Sequence, residues 1–136
     1  MTVIVCVDDR GGMMFNKRRL SRDRAVYADI ASDFDGKRLL MSELSAPLFA
    51  QSDADITVSD SFLDEADGGC ICFVEDRKIA EYANKTDTLV IYKWNRHYPS
   101  DMKLDIDPLN SGFRLLSVTD LAGHSHDKIT KEIYVK

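Results

Sequence analysis

Several features of membrane-bound and secreted proteins are missing from this sequence of 136 residues. No apolar run approaches the roughly 20 residues that a membrane-crossing helix needs. The segment MTVIVCVDDR has no basic stretch and no small-residue cleavage site, so it does not resemble a signal peptide. Only three cysteines are present, all in apolar strand-like runs, which is typical of a reducing compartment. We therefore expect a cytoplasmic protein without membrane contact.

The sequence also lacks an excess of positive charge, since 18 basic residues stand against 23 acidic ones and the formal net charge is -5. Residues 1–24 carry six basic and three acidic residues, a net charge of +3, so residues 25–136 carry -8. Nucleic-acid binding by the whole surface is therefore not expected. The basic run Lys17-Arg18-Arg19 indicates either a local anion site or a solvent-exposed loop, and the sequence does not decide between them.

The usual short signatures of catalysis are absent as well. The sequence has no P-loop, no Gly-x-Ser-x-Gly, no Cys-x-x-Cys and no Rossmann run. It also has no internal repeat, linker or low-complexity segment. A hydrophobic content of 44% and a charged content of 30% are ordinary for a folded protein. This length predicts a single domain over residues 1–136, and the sequence leaves its oligomeric state open.

Short apolar runs separated by turns and helical segments make up the chain. Strands are predicted at Thr2–Val7 and at residues 38–41, 55–58, 70–74 and 88–92, with edge pairing at 104–106 and an antiparallel pair at 113–118 and 129–135. The first and fourth runs are the most continuously apolar, so we expect them to be neighbouring parallel central strands. The pattern predicts an α/β fold with a mixed, mostly parallel sheet, helices on both faces and an antiparallel C-terminal edge.

Helical segments are predicted between these strands. Ser21 is the expected N-cap of the first helix, with Asp23 in its first turn and Val26 and Ile30 on its apolar face. Shorter helices are expected near residues 45–49 and 59–66, and a longer one at residues 75–83. The apolar residues 13–15 are interpreted as part of a loop hinged at the preceding glycines.

The order of these segments carries a family resemblance over nearly the whole chain. In chain order the segments are VIVCVDDRGGMMFNKRRLSRD, RLLMSELSAPLF, ITVSDSF, CICFVEDRKIAEY, LVIYKWNRHYPSDMKLDID and KITKEIYVK. They resemble the strands, mobile loop and helix starts of dihydrofolate reductase. The resemblance implies a dihydrofolate-reductase-like fold and a cleft for a small-molecule ligand.

The same resemblance implies a set of ligand-binding residues. Asp23 falls where the family keeps its pterin-binding carboxylate, and Met14 falls in the loop that closes over the ligand. The positions that line the pterin pocket correspond to Val5, Cys6, Val7, Tyr27 and Tyr92. From the residues alone, Asp23 is equally explained as a first-turn carboxylate that the helix dipole stabilises.

Departures from the family pattern affect the cofactor site. Ser42-Glu43 stands in place of the family's Gly-Arg, so an acid replaces an arginine that would hold a cofactor phosphate. Glu75 and Asp76 replace adjacent glycines that let the backbone approach pyrophosphate, and two carboxylates there obstruct that approach and repel its charge. We therefore expect no bound cofactor and a divergent protein without NADPH-dependent activity that keeps a cleft for a small ligand or partner. The first alternative is a working NADPH-dependent reductase.

A histidine pair gives a second alternative. The run His124-Ser125-His126-Asp127 resembles the His-x-His-x-Asp-His motif of metallo-β-lactamase-type hydrolases, which include ribonuclease Z. Here the aspartate comes one residue early and Lys128 stands where a histidine belongs. We therefore interpret the run as a solvent-exposed hairpin loop and assign no metal ligand. Trp94, His97 and Tyr98 form an aromatic group interpreted as core packing or as a stacking surface.

Overall fold

The computed structural model describes all residues 1–136. Its strands are β1 (Thr2–Val7), β2 (Gly12–Phe15), β3 (Arg18–Arg19), β4 (Arg38–Met41), β5 (Asp55–Val58), β6 (Ile71–Phe73), β7 (Thr88–Lys93), β8 (Met102–Lys103), β9 (Arg114–Ala122) and β10 (Lys128–Val135). The helices are α1 (Arg24–Asp33) and α2 (Phe62–Glu65), with 3₁₀ helices at Ala46–Phe49, Ala80–Lys85 and Pro108–Asn110.

Seven strands form the main sheet, in the order β5-β4-β6-β1-β7-β10-β9. The first five strands in this order pair in parallel, and β10 pairs antiparallel with both of its neighbours. Strands β1 and β6 are parallel neighbours, with Val3 opposite Cys72. The predicted central pair is therefore confirmed, and so is the antiparallel C-terminal edge.

The two faces of the main sheet carry separate apolar cores because successive side chains of a strand point in opposite directions. Val5 and Val7 of β1 pack with Phe62 of α2 on one face. Ile4 packs with Ile30 of α1 on the other face. Helices therefore cover both faces, as the sequence predicted. None of these helices has the length and apolar character that a bilayer span requires, and all three cysteines are free thiols.

A second, three-stranded sheet has the order β3-β2-β8. It contains residues 13–15, which the sequence analysis interpreted as loop. Asn16 and Lys17 join β2 to β3 with φ values of 51° and 62°, and two positive φ angles are typical of a tight hairpin turn. Lysine rarely adopts this conformation, which explains why the sequence did not indicate the hairpin. The edge pairing expected at residues 104–106 is made instead by Met102–Lys103.

The helix predicted at residues 75–83 is wrong, since the chain forms only the 3₁₀ helix Ala80–Lys85. The Asp105 carboxylate accepts the backbone N–H of Ile79 at 2.8 Å and that of Ala80 at 3.1 Å. A distant side chain therefore sets the start of this helix. Residues 75–79 stay irregular, and Glu75 turns inward.

Candidate functional site at the carboxyl edge of the sheet

The carboxyl ends of the parallel strands meet at one edge, which is where open α/β sheets bind ligands. Strand β10 runs the opposite way, so its first residues lie at the same edge, with Thr130 opposite Lys93 at the end of β7. The loop 123–127 before β10 therefore reaches this edge. Helix α1 also begins there, after the small sheet, and the two segments meet.

Asp23 joins these two segments. As the N-cap of α1, its carboxylate accepts the backbone N–H of Ala25 at 2.9 Å. It also accepts the backbone N–H of His124 at 2.9 Å, of Ser125 at 2.9 Å and of His126 at 3.1 Å. The ring Nδ1 of His126 lies 3.0 Å from the same carboxylate. One buried side chain thus anchors the loop 123–127 to the start of the helix.

The environment of Asp23 keeps it ionised. Burial alone raises the pKa of this carboxyl, but hydrogen bonds from the His124 amide, the His126 ring and the Ala25 amide outweigh burial. The pKa of Asp23 therefore lies well below its usual range. An ionised carboxylate only accepts hydrogen bonds, so Nδ1 of His126 carries the hydrogen. In the neutral ring Nε2 is then an acceptor.

His126 extends the arrangement beyond Asp23. Its ring stacks on Trp94, with centroids 4.9 Å apart and an interplanar angle of 24°. Its Nε2 lies 3.0 Å from Oγ of Ser21 and 3.2 Å from the hydroxyl of Tyr98, which donates to Oγ of Ser21 at 3.2 Å. Ser21 was predicted to be the N-cap of α1, and this prediction is wrong because Asp23 occupies that position. We call Ser21, Asp23, Tyr98 and His126 the Asp23 cluster.

The loop 123–127 approaches Asp23 closely because Gly123 has no side chain. A Cβ at this position would lie 2.3 Å from the backbone oxygen of His126 and 2.8 Å from Oδ2 of Asp23. Real Cβ atoms do not come this close to backbone atoms, so any other residue would push the loop away from the carboxylate. Gly123 is therefore required by packing around Asp23.

A basic cavity of about 360 Å³ opens beside the Asp23 cluster. Its wall is formed by Arg19, Arg22, Asp23, Arg24, Tyr27, Pro47, Leu48, His124 and Ser125. A second cavity of about 650 Å³ shares Arg24, Tyr27, Leu48 and His124 with it and continues along α1. Arg19 is already paired with Glu75, so Arg22 and Arg24 are the guanidinium groups of this wall without a carboxylate partner. The oxygens of Asp23 are already hydrogen-bonded. The electrostatics of the wall therefore favour an anion.

Tyr27 forms part of the wall of both cavities. Its ring packs edge-on against Phe49 and Phe73, and its hydroxyl is buried without a hydrogen-bond partner. Burial raises the pKa of Tyr27, and the nearby Cys6 and Glu75 act in the same direction, while Arg19 and the Asp23 amide oppose them. A buried hydroxyl without a partner is uncommon and marks a place where a ligand could supply one.

A second buried carboxylate, Glu75, lies after β6. Arg19 of β3 donates to it through Nε at 2.9 Å and through Nη2 at 3.0 Å, and Oγ of Ser45 donates at 2.8 Å. Nη2 of Arg19 also donates to the backbone oxygen of Leu44 at 2.8 Å. The small sheet is thereby fastened to the main sheet. Burial raises the pKa of the adjacent Cys6 thiol, and Glu75 adds to the rise.

The structure brings together only some of the predicted ligand-binding residues. Asp23 and Tyr27 line the same cavity, and Cys6 lies near Tyr27. Val5 and Val7 are buried in the core on the α2 face, away from Tyr27. They do not share a cleft wall with it.

The two remaining predicted residues lie elsewhere. Met14 lines a separate cavity of about 670 Å³ together with Lys17, Asp76 and Asp101. Tyr92 is fully buried, and its hydroxyl donates to Asp29 of α1 at 2.6 Å. A role of either residue in ligand binding stays a prediction.

The histidine pair does not form a metal site in this arrangement. His126 is occupied by Asp23 on one ring nitrogen and by Ser21 on the other. Nδ1 of His124 lies 3.0 Å from a guanidinium nitrogen of Arg24 instead. No group of three or more His, Cys, Asp or Glu side chains could hold a metal ion. The metal-hydrolase alternative therefore gains no support.

Sequence reasoning missed Ser21 and His126 as members of one site. The histidine pair and the aromatic group near Tyr98 were both visible as unusual segments. However, Ser21 and His126 are 105 positions apart, and Tyr98 is 77 positions from Ser21. No local pattern indicates contacts between segments so distant in sequence.

Comparison with solved structures shows which fold this is. The chain matches dihydrofolate reductase from Enterococcus faecalis, solved in complex with NADP(H) and RAB-propyl, with a TM-score of 0.67. The match covers 98% of this chain and 94% of that chain at 9% sequence identity. No family model and no curated protein matches the sequence. The protein therefore has a divergent dihydrofolate-reductase-like fold, and identity this low shows the fold alone.

Proposed function

We propose that the protein binds a small anionic ligand in the basic cavity between α1, the 3₁₀ helix Ala46–Phe49 and the loop 123–127, and that it is not an NADPH-dependent reductase. The observation that carries the proposal is the charge of this cavity. Arg22 and Arg24 are exposed at its rim. Asp23, the acidic residue of its wall, already accepts hydrogen bonds from six groups.

Arginine is suited to this task because its planar guanidinium matches the two oxygens of a carboxylate or phosphate. The apolar parts of Leu48 and Tyr27 offer a surface for the rest of the ligand. A ligand that also used Asp23 would have to displace backbone amides of the loop 123–127.

The residues present fit a dinucleotide phosphate poorly. Where the resemblance expects adjacent glycines, this chain has Glu75, whose side chain pairs with Arg19, and Asp76. Pairing with Arg19 neutralises Glu75, and pairing with Arg77 neutralises Asp76. The charges of Glu75 and Asp76 therefore oppose a cofactor phosphate less than the sequence suggested. Their side chains remain a steric obstacle to its approach. The matched enzyme's complex with NADP(H) is the reason to keep the reductase as the alternative.

A thermal-shift series tests the anion site. Glutarate, inorganic phosphate and folate are each titrated against the protein at constant ionic strength. A probe at 100 times its dissociation constant stabilises the folded protein by about 2.7 kcal/mol. We expect stabilisation by at least one probe, and we expect the double variant Arg22→Gln, Arg24→Gln to lose it.

Arg114→Gln is the matched control, because Arg114 is an exposed arginine on the edge strand β9, outside the cavity. This variant should respond to the probes as the wild type does. The proposal fails if no probe raises the melting temperature at millimolar concentration. It also fails if the double variant responds as strongly as the wild type.

A further inference from the structure

We propose that Ser21, His126 and Asp23 act as nucleophile, base and orienting carboxylate in the hydrolysis of a carboxylic ester. Oγ of Ser21 lies 3.0 Å from Nε2 of His126, and Nδ1 of His126 lies 3.0 Å from Oδ2 of Asp23. Both distances are within hydrogen-bond reach. This order of groups is recognised by geometry and not by position in the chain, and it occurs on unrelated folds.

The base of this arrangement is held in one orientation. The His126 side chain is 3% exposed, and its ring stacks on Trp94. Asp23 fixes the hydrogen on Nδ1, and three backbone amides of the loop 123–127 fix Asp23 in turn. The lone pair of Nε2 is therefore directed towards Ser21, as a general base for a hydroxyl requires.

The chain neighbours of the nucleophile line two cavities, although Ser21 itself is in the wall of neither. Ser21 is half-buried. The following residues Arg22 and Asp23 line the basic cavity, and the preceding residues Arg19 and Leu20 line a cavity of about 550 Å³ on the other side, together with Tyr98. The inference requires that a substrate in one of these cavities place its ester carbonyl at Oγ of Ser21.

Tyr98 supplies a donor for the charge that develops on the carbonyl oxygen. Its hydroxyl lies 3.2 Å from Oγ of Ser21 and 3.2 Å from Nε2 of His126. Once Ser21 has bonded to the substrate, this hydroxyl is free to turn to the oxyanion. A donor directed at the developing charge stabilises a tetrahedral intermediate, and Tyr98 reaches this role by exchanging its bond to Oγ for one to the oxyanion.

The reaction proceeds in two steps, acylation of Ser21 and hydrolysis of the acyl-serine. Oγ of Ser21 attacks the ester carbon while its proton moves to Nε2 of His126, and the alcohol leaves with that proton as the C–O bond breaks. Water then attacks the acyl-serine, gives one proton to Nε2, and releases the acid as Oγ regains that proton. The inference rests on the proposed function only for the anionic group of the substrate, which Arg22 and Arg24 would hold.

Covalent labelling tests the nucleophile without using the anion site. The protein is treated with a neutral fluorophosphonate, and the adduct is located by mass spectrometry. Hydrolysis of p-nitrophenyl acetate is measured beside it. We expect an adduct on Ser21 and a hydrolysis rate about 100-fold above that of Ser21→Ala. His126→Gln should lose both the adduct and the activity, because it removes the base.

Ser111→Ala is the control, since Ser111 lies in the connection before β9, outside the Asp23 cluster. The Ser111→Ala variant should be labelled on Ser21 and should hydrolyse the ester as the wild type does. The proposal is overturned if the wild type forms no adduct on Ser21 and hydrolyses the ester no faster than Ser21→Ala. Because neither reagent is anionic, this result is independent of the outcome for glutarate, phosphate and folate.

Discussion

Asp23 and Glu75 are two buried carboxylates at the same edge of the sheet, yet the protein satisfies them in different ways. Asp23 is held mainly by backbone N–H groups of the loop 123–127. Glu75 is held by the side chains of Arg19 and Ser45. Backbone donors cannot leave without moving the whole loop, whereas side chains can turn to other partners. Asp23 is therefore part of the fold, and Glu75 is the carboxylate whose partners a ligand or a substitution can change.

The largest expected effect follows from removing the carboxylate of Asp23. Asp23→Ala leaves the amides of the loop 123–127 and the His126 ring without their acceptor. Hydrogen bonds to charged groups contribute about 1.5–3 kcal/mol each, and their losses are not additive. We expect the free energy of unfolding, measured by urea denaturation, to fall by about 3–4 kcal/mol.

Asp127→Ala is the control for this prediction, because Asp127 is exposed in the same loop. Its effect should stay within about 0.5 kcal/mol. A loss of less than about 1 kcal/mol for Asp23→Ala would mean that the loop does not depend on this carboxylate, contrary to the comparison.

A smaller effect is expected at Glu75. Arg19→Ala removes the main partner of a carboxylate that is 7% exposed. Because the Arg19 side chain is itself 23% exposed, we expect a loss of about 2 kcal/mol in the free energy of unfolding, below the range for a fully buried pair. Replacing the whole pair, with Arg19→Met and Glu75→Leu, should recover most of this loss because no buried charge then remains. If the double variant is as unstable as Arg19→Ala, the two side chains do not act as a pair.

The smallest expected effect is on how the free energy of unfolding depends on pH. The pKa of Asp23 is lower in the folded protein than in the unfolded chain, so its contribution is complete above pH 4 and is lost as the pH falls towards the lowered value. Each pH unit below about 4 should cost up to about 1.4 kcal/mol. Asp23→Asn should lack this part of the slope between pH 4 and pH 3 in urea denaturation. Equal slopes in the two proteins would contradict the assignment.

The sequence predicted the main sheet well because its strands are short apolar runs whose pattern is local. Thr2–Val7 and the run that contains β6 were recognised and paired correctly for this reason. The N-cap could not be predicted. Ser21 and Asp23 are both good capping residues, and contacts with the loop 123–127, about 100 residues away, select Asp23.

Contacts between residues far apart in the chain also explain why the candidate site was not predicted. Glu75 was interpreted as a charge that repels a cofactor, and the sequence did not indicate that Arg19, 56 positions earlier, pairs with it. The helix expected after β6 also failed because a distant carboxylate, Asp105, determines where that segment turns. Single-sequence patterns therefore describe strands and helices, and they do not describe which side chains meet at the edge of the sheet.

The central claim is that this dihydrofolate-reductase-like fold does not carry NADPH-dependent chemistry. The most direct measurement is a calorimetric titration of NADPH into the purified protein, with an absorbance assay for dihydrofolate reduction beside it. We predict no binding in the micromolar range and no turnover above background, because this chain has Glu75, paired with Arg19, and Asp76 where the resemblance expects adjacent glycines. A micromolar or tighter dissociation constant, or measurable turnover, would contradict the claim and favour the reductase.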